Sequence, residues 1–363
     1  MNITLDGLLE KVHLGGFFSR VKTTDKISFA KNISTMLEAG LPLTRALSVI
    51  ERQAKNKKFK EIIKNLGNDI SKGDSLSAAM AKRPEAFSSL FVSMVKAGEE
   101  SGGLSKSLRA VGNQLERAHL LTKKIRGAMM YPAIIFSLML IIGILMLVYV
   151  VPTITEVFRS MNVQLPISTR IIIFLSDGLK QHFIIIGLFL AAVVTGCVYA
   201  AKTAYGRRLF TTVLLKLPFV GSVTKETNSA RTARTLASLL SAGVDFLIAI
   251  RITEEVLQNV FYKEIMKKAA TNVEKGKPIS DIFLAEEKLY PAFVGEMASI
   301  GEETGRLSEM FENVATFYEN EVEQRTKDMS TVIEPVLMVV IGLAVGIFAV
   351  SMLSPIYSLV DAL

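Results

Sequence analysis

The sequence has one cysteine, Cys197, and three histidines, His13, His119 and His182, among 363 residues. One cysteine excludes an intramolecular disulfide and a Cys-rich zinc site. The histidines are far apart and show no metal-ligand spacing. Catalysis needs convergent groups with tuned pKa values. The chain offers no histidine cluster, no nucleophile elbow and no paired intramembrane aspartates. No catalytic, cofactor-binding or metal-ligating residue is therefore expected, and the chain reads as a non-enzyme that needs no cofactor. Strand-like alternation never persists, and β-branched residues concentrate in apolar runs, so the fold class expected is all-α.

What is present is apolar. Hydrophobic residues make up 50% of the chain and charged ones 21%, a mixture that suggests soluble domains joined to a few apolar spans. Three stretches carry no Asp, Glu, Lys, Arg or His: Ala133–Val151, Phe183–Ala201 and Val336–Leu353. Each is close to the ~20 residues that cross a bilayer core. A run such as IIFSLMLIIGILMLVYVV leaves no polar face for water, which disfavours a buried core helix. The second span is the weakest of the three, because Ile171–Leu175 could extend it.

Flanking charge orients the spans. Lys123, Lys124 and Arg126 precede the first, and Lys202, Arg207, Arg208 and Lys216 follow the second. The tail Ser354–Leu363 has Asp361 and neither Lys nor Arg. The expected layout has a cytoplasmic amino terminus and an outer carboxyl terminus. It comprises a short segment 1–22, a helical domain 23–132, a span 133–151 and an outer loop 152–182. A second span 183–201, a second helical domain 202–335, a third span 336–353 and an outer tail 354–363 follow. Segment 1–22 lacks the continuous apolar core of a secretory signal, so it is expected to be retained. The net charge of +8 then belongs to cytoplasmic segments and does not require nucleic acid. Lys55-Asn56-Lys57-Lys58 has no interleaved aromatics to stack on bases.

The chain repeats itself at one offset, 203 residues. Ala39-Gly40 meets Ala242-Gly243, and Lys72-Gly73 meets Lys275-Gly276. Gly98-Glu99-Glu100-Ser101-Gly102 meets Gly301-Glu302-Glu303-Thr304-Gly305. Pro132 meets Pro335, and Pro152 meets Pro355. The first and third spans are equivalent, and a direct repeat needs an odd number of crossings between copies, which the second span supplies.

Within each copy Gly40 and Gly243 are read as helix C-caps. Leu104, Leu108, Val111, Leu115, Ala118, Thr122, Ile125 and Met129 step by four and three. So do Leu307, Phe311, Val314, Tyr318 and Val322. This predicts a long helix that leaves each bundle and runs into the membrane. Pro132, Glu334 and Pro335 stand at its membrane edge, where a kink or a helix restart is expected.

The Gly98 and Gly301 motifs are not phosphate loops, since Leu104-Ser105 stands where a Walker motif needs Lys-Ser/Thr. They read as helix–turn–helix elements. Gly98 would end one helix, Ser101 or Thr304 would cap the next, and Gly102 and Gly305 would permit the turn. Glu99, Glu100, Glu302 and Glu303 could also meet a basic partner or a hard cation. Gly342 and Gly346 form a small-xxx-small pair for helix packing, within the protomer or in a dimer. The spans carry no ionisable residue, which argues against the alternative of a small-solute channel or carrier.

These features in this order resemble the type II secretion F-protein family, which includes inner-membrane platform proteins of type IV pili. The matching residues are Leu37-x-Ala39-Gly40-Leu41-Pro42-Leu43, Thr235-Leu236-Ala237-x-Leu239-Leu240-x-Ala242-Gly243 and the GE-x-S/T-G-x-L motifs at Gly98 and Gly301. Leu217-Pro218-Phe219-Val220-Gly221, Leu165-Pro166-x-x-Thr169, Glu334-Pro335 and Pro355-Ile356-Tyr357 also fit. The chain departs at Val244-Asp245, where the family usually has proline. The resemblance implies a non-enzymatic platform in the inner membrane. Its implied partners are a cytoplasmic assembly ATPase, pilin or pseudopilin subunits, other inner-membrane assembly proteins, the lipid bilayer and further copies of itself.

Overall fold

The computed structural model describes residues 21–160, 166–217 and 219–360. The amino-terminal segment to residue 20, Leu165, Pro218 and Asp361, all named above, lie outside the described residues. The fold is all-α, with no strand among the described residues. The helices are α1 (Thr23–Glu38), α2 (Leu43–Gln53), α3 (Lys57–Ser71), α4 (Leu76–Ala81), α5 (Ser89–Glu100) and α6 (Leu104–Leu145). A π-helical turn at Met146–Val150 continues into α7 (Val151–Ser160). Then come α8 (Ile167–Gln181), α9 (Phe183–Lys202) and α10 (Ala204–Lys216). The second copy supplies α11 (Val220–Ser241), α12 (Phe246–Val256), α13 (Val260–Glu274), α14 (Ile279–Ala285), α15 (Ala292–Thr304) and α16 (Leu307–Val360).

The chain divides into two compact units. One holds residues 1–122 and 222–322, so it pools the helical parts of both copies; the other holds 123–221 and 323–363. Residues 202–221, read from sequence with the second helical domain, fall in the apolar unit.

Local chemistry sets the helix starts of the pooled unit. The Asn56 side chain accepts from Phe59 N at 3.2 Å, and its counterpart Asn259 accepts from Phe261 N at 3.1 Å. Each satisfies an amide that the first turn leaves without a partner. Pro42 precedes α2, whereas its counterpart Asp245 accepts from Leu247 N and Ile248 N at 3.0 and 3.1 Å. The departure from the family pattern thus replaces a fixed proline dihedral with a side-chain cap. Helix α1 ends with Gly40 at φ +82°, Leu41 N bonding Met36 O at 2.9 Å; Gly243 repeats both features, at φ +82° and with Val244 N on Leu239 O at 3.0 Å.

Copy 1 packs around rings. Phe29 lies 5.9 Å from Phe59 and 5.5 Å from Phe87, and Phe87 lies 5.2 Å from Phe91. All four are buried. Copy 2 packs Tyr290 at 4.9 Å from Tyr262 and 4.8 Å from Phe283, all buried.

Among the described residues two helices are long and apolar enough to cross a membrane: the continuous helix Leu104–Phe158 and the helix Leu307–Leu353. Helices Ile167–Gln181 and Ile184–Cys197 could form a third span only as a broken or re-entrant one, since they are bent by 80° at their junction. Two expectations change here. Ile171–Leu175 does not lengthen the second span, because α8 turns away at the His182 break. Residues 152–182, expected as an outer loop, carry helical structure, with α7 and α8 on either side of residues 161–165. Helix α8 is tied down by hydroxyls: Thr169 Oγ1 donates to Ser351 O at 2.5 Å, and Ser176 Oγ donates to Leu147 O at 2.5 Å. Leu147 lies in the π turn, where the shifted ladder makes carbonyls available to such donors.

Pro132 lies inside α6 and Pro335 inside α16, and neither restarts the helix. A proline removes a single donor, and an apolar helix re-satisfies its freed carbonyl locally or through neighbours more readily than it tolerates a break.

Candidate functional site, the paired glutamate turns

The repeated GEE motif sits where α5 meets α6 and where α15 meets α16. Gly98 and Gly301 lie inside their helices, not at their ends, which corrects the sequence reading. Both are buried. A Cβ on Gly98 would fall 2.4 Å from Ser107 Cβ, and one on Gly301 would fall 3.0 Å from Leu307 Cα. The motif's first glycine is therefore a point of close helix approach. Ser101 and Thr304 do not cap the following helix either. Their hydroxyls point backward, Ser101 to Gly98 O at 3.5 Å and Thr304 to Ile300 O at 2.6 Å. Gly102 at φ +70° and Gly305 at φ +69° make the turn, a conformation cheap for glycine alone.

This elbow divides the acidic pair. Glu99 turns inward to the start of α4. It accepts from Leu76 N at 2.5 Å, from Ser77 N at 3.1 Å and from Ser77 Oγ at 2.5 Å. Glu302 does the same at α14, from Ile279 N at 2.6 Å, Ser280 N at 3.2 Å and Ser280 Oγ at 2.6 Å. Both short helices thus gain a carboxylate on their first amides, at the positive end of the helix dipole. Glu100 and Glu303 point outward and are exposed. Glu100 has Lys96 at 3.8 Å, and Glu303 accepts from Ser299 at 3.4 Å. The four glutamates do not converge, and no group of three His, Cys, Asp or Glu among the described residues could hold a metal ion.

Charges that sequence reading missed lie at the base of α1 and α11. Lys31 pairs with Glu116 at 2.5 Å; at the same offset Arg234 pairs with Glu319 at 2.8 Å and also with Glu312. Arg234 also donates to Thr316 at 3.1 Å, and Arg117 of copy 1 reaches Glu319 at 3.6 Å. Burial lowers the Arg234 pKa, and its hydrogen bonds to Glu319 and Glu312 more than reverse this, leaving it above the ordinary value. Comparing the copies by charge class, and not by identity, would have found this pair, since Lys31/Arg234 and Glu116/Glu319 keep their signs.

The remaining candidates lie in the apolar unit. Glu334 is exposed on α16. A Cβ on Gly342 or Gly346 would meet nothing within 4 Å, so among the described residues no helix of this chain packs on that pair. Cys197 is exposed.

This duplicated arrangement has a match among known families. The family model of type II secretion system protein F matches residues 29–152 and again residues 232–355. Each end of the second match is displaced from the first by 203 residues, the offset of the internal repeat. The chain belongs to the type II secretion system protein F family. It is 35% identical over 339 residues to the type IV pilus assembly protein PilC of Thermus thermophilus, covering 93% of this chain and 83% of that one. It is 30% identical to PilC of Pseudomonas aeruginosa, covering 96% and 93%. It is 31% identical to the type II secretion system protein F of Aeromonas hydrophila, covering 94% and 88%.

Proposed function

We propose that this protein is an inner-membrane platform of a type IV pilus or type II secretion machine, coupling a cytoplasmic assembly ATPase to the insertion of pilin-type subunits into a growing filament. The observation that carries the reading is the double family match at one offset, together with near full-length similarity to proteins named for pilus assembly and for secretion. The division of the chain supports it: a helical unit built from both copies, and apolar helices suited to a bilayer. In this reading the amino terminus and the helical unit face the cytoplasm, the carboxyl terminus lies outside, and ATP hydrolysis belongs to the partner.

The ATPase contact is assigned to the outward acids of the two turns, Glu100 and Glu303. Glu99 and Glu302 are occupied by the starts of α4 and α14, so changing them would disturb the bundle itself. Glu100→Lys with Glu303→Lys should weaken co-purification with the ATPase at unchanged thermal stability. Unchanged capture would remove the turns from that contact. Deletion of the protein should abolish filaments, or filament-dependent secretion, while the purified ATPase keeps its activity. Normal filaments in the deletion strain would overturn the platform reading.

A further inference from the structure

Within the helical unit the two copies meet by unlike faces. Copy 1 contributes α5 and α6, and copy 2 contributes α11 and α12, with Glu319 of α16 meeting Arg117 at 3.6 Å. Gln114 on α6 donates to Thr235 at 3.4 Å and accepts from Ser238 at 2.8 Å, both on α11. Thr122 accepts from Arg231 at 3.2 Å, and Ser89 on α5 donates to Glu255 on α12. An interface between unlike faces of repeated units leaves one of each face unused at the ends.

Those unused faces are open. Gln114 is 5% exposed, whereas its counterpart Phe317 is 46% exposed. Here a polar residue is covered and the equivalent aromatic one is not, the reverse of the usual preference. Phe317 packs on Phe293 at 5.0 Å, and Ile300 continues the stripe along α15. An exposed acid on α15, Glu296, borders it, as does the exposed amide of Asn313 on α16. On copy 1, the counterparts of Arg231, Thr235 and Ser238 are Ser28, Asn32 and Thr35, all exposed along α1. Beside them on α2 stand the exposed Arg45 and Arg52.

We propose that a second copy of this chain occupies these faces, α15 and α16 of one chain docking on α1 and α2 of the next and repeating the internal contact between chains. Three observations select this occupant. The offset pairs the open Phe317 and Asn32 with Gln114 and Thr235, which are both buried where the copies meet inside the chain. The open face of copy 2 combines aromatic rings with the Glu296 carboxylate, and the open face of copy 1 offers two arginines, which suit both. Neither arginine forms an ion pair among the described residues, so both are available. The proposal needs only the repeat and stands apart from the platform reading.

Equivalence names the pairs. Ser89 and Glu255 map to Ala292 and Arg52; Gln114 and Thr235 map to Phe317 and Asn32. In a Cys197→Ser background, two differently tagged full-length chains are co-expressed, one with Ala292→Cys and the other with Arg52→Cys. Mild oxidation of permeabilised membranes should join the two tags, as should Phe317→Cys with Asn32→Cys. Ser89→Cys with Glu255→Cys in one chain is the positive control for the internal contact. Glu296→Arg or Arg52→Glu alone should lower the yield of the Phe317–Asn32 product about fivefold, the size of one exposed ion pair, and the two placed on opposite chains should restore it. Reaction of Ala292→Cys chains only with each other would overturn the proposal, as would no inter-chain product while the control reacts, or capture of a different protein at Ala292.

Discussion

At the centre of copy 1, Phe29 meets Phe59, Phe87 and Phe91; at the equivalent places copy 2 has Thr232, Tyr262, Tyr290 and Val294. The rings of copy 1 need only contact. The hydroxyls of copy 2 need partners, and they have them. Tyr290 and Thr232 bond each other at 2.9 Å, and Tyr262 donates to Leu289 O at 2.7 Å. Burial pushes the Tyr262 and Tyr290 phenols well above their ordinary pKa. The ion pair beneath differs in the same sense. Lys31–Glu116 is a half-exposed pair, while Arg234 is 5% exposed and bonded to two carboxylates. One helical frame therefore accepts an apolar centre or a polar one, provided the hydroxyls at that centre are matched. Copy 2 is therefore expected to tolerate single changes less well.

The largest expected contrast is at the ion pairs. Arg234→Ala removes the buried cation shared by Glu312 and Glu319, leaving Glu319 only the more distant Arg117, and should cost about 3 kcal/mol. Lys31→Ala should cost at most about 1 kcal/mol, as surface pairs do. Thermal melting of the detergent-solubilised chain, followed by circular dichroism, reads both; equal losses would break the contrast between the copies. Next come the clamps, where the copies should agree. Glu99→Ala and Glu302→Ala each strip three hydrogen bonds from a helix start and should each cost about 2–3 kcal/mol. A loss in one copy alone would mean that the elbow is held by its glycines and not by the carboxylate.

Exchange of the central residues gives a smaller and unequal effect. Phe87→Tyr places a hydroxyl against Phe29, where no partner awaits it, at about 1–3 kcal/mol, whereas Tyr290→Phe should cost about 1 kcal/mol. Tyr290→Phe combined with Thr232→Val should recover part of that loss, since both ends of the bond are then apolar. The smallest effect is a pH dependence at α3 of copy 1 that its counterpart α13 lacks. A hydrogen bond from Arg83, at 2.7 Å, is the main reason that the Asp69 carboxyl lies below its ordinary pKa. A lowered folded pKa gives stability above the unfolded value that is lost as pH falls through the folded one. Below pH about 4, exchange-corrected amide protection at Ile62, Ile63 and Leu66 should fall more than at Ile265, Met266 and Ala269. The counterpart of Asp69 is Asn272, which does not titrate. Asp69→Asn should remove the difference, and a difference that survives this change would assign it elsewhere.

Much of the architecture was legible along the chain. The all-α class follows from periodicity, and the duplicated organisation follows from one offset, because both are one-dimensional properties. The glycine at the end of α1 and the apolar runs are of the same kind. The elbow was legible only in part. GEESG and GEETG marked a turn, yet side-chain direction assigned the roles: Gly98 to close packing, Glu99 to the start of α4, and Glu100 to solvent. A carboxylate that bonds amides 22 and 23 residues away leaves no local trace. The helices within residues 152–182 were not legible for a related reason. Thr169 is held by Ser351, 182 residues away, and a helix fixed by such a distant hydroxyl bond resembles a polar connection when read alone.

The sequence by itself determined the number of copies, their register, the positions of the apolar helices and the family. Each of these rests on residue order and hydropathy, which folding does not alter. Tertiary structure alone decided that both helical copies share one unit, that their contact joins unlike faces, and that Gln114 is covered while Phe317 is not. The physical reason is that burial belongs to pairs of surfaces, and equivalent residues acquire different surroundings once one copy packs against the other.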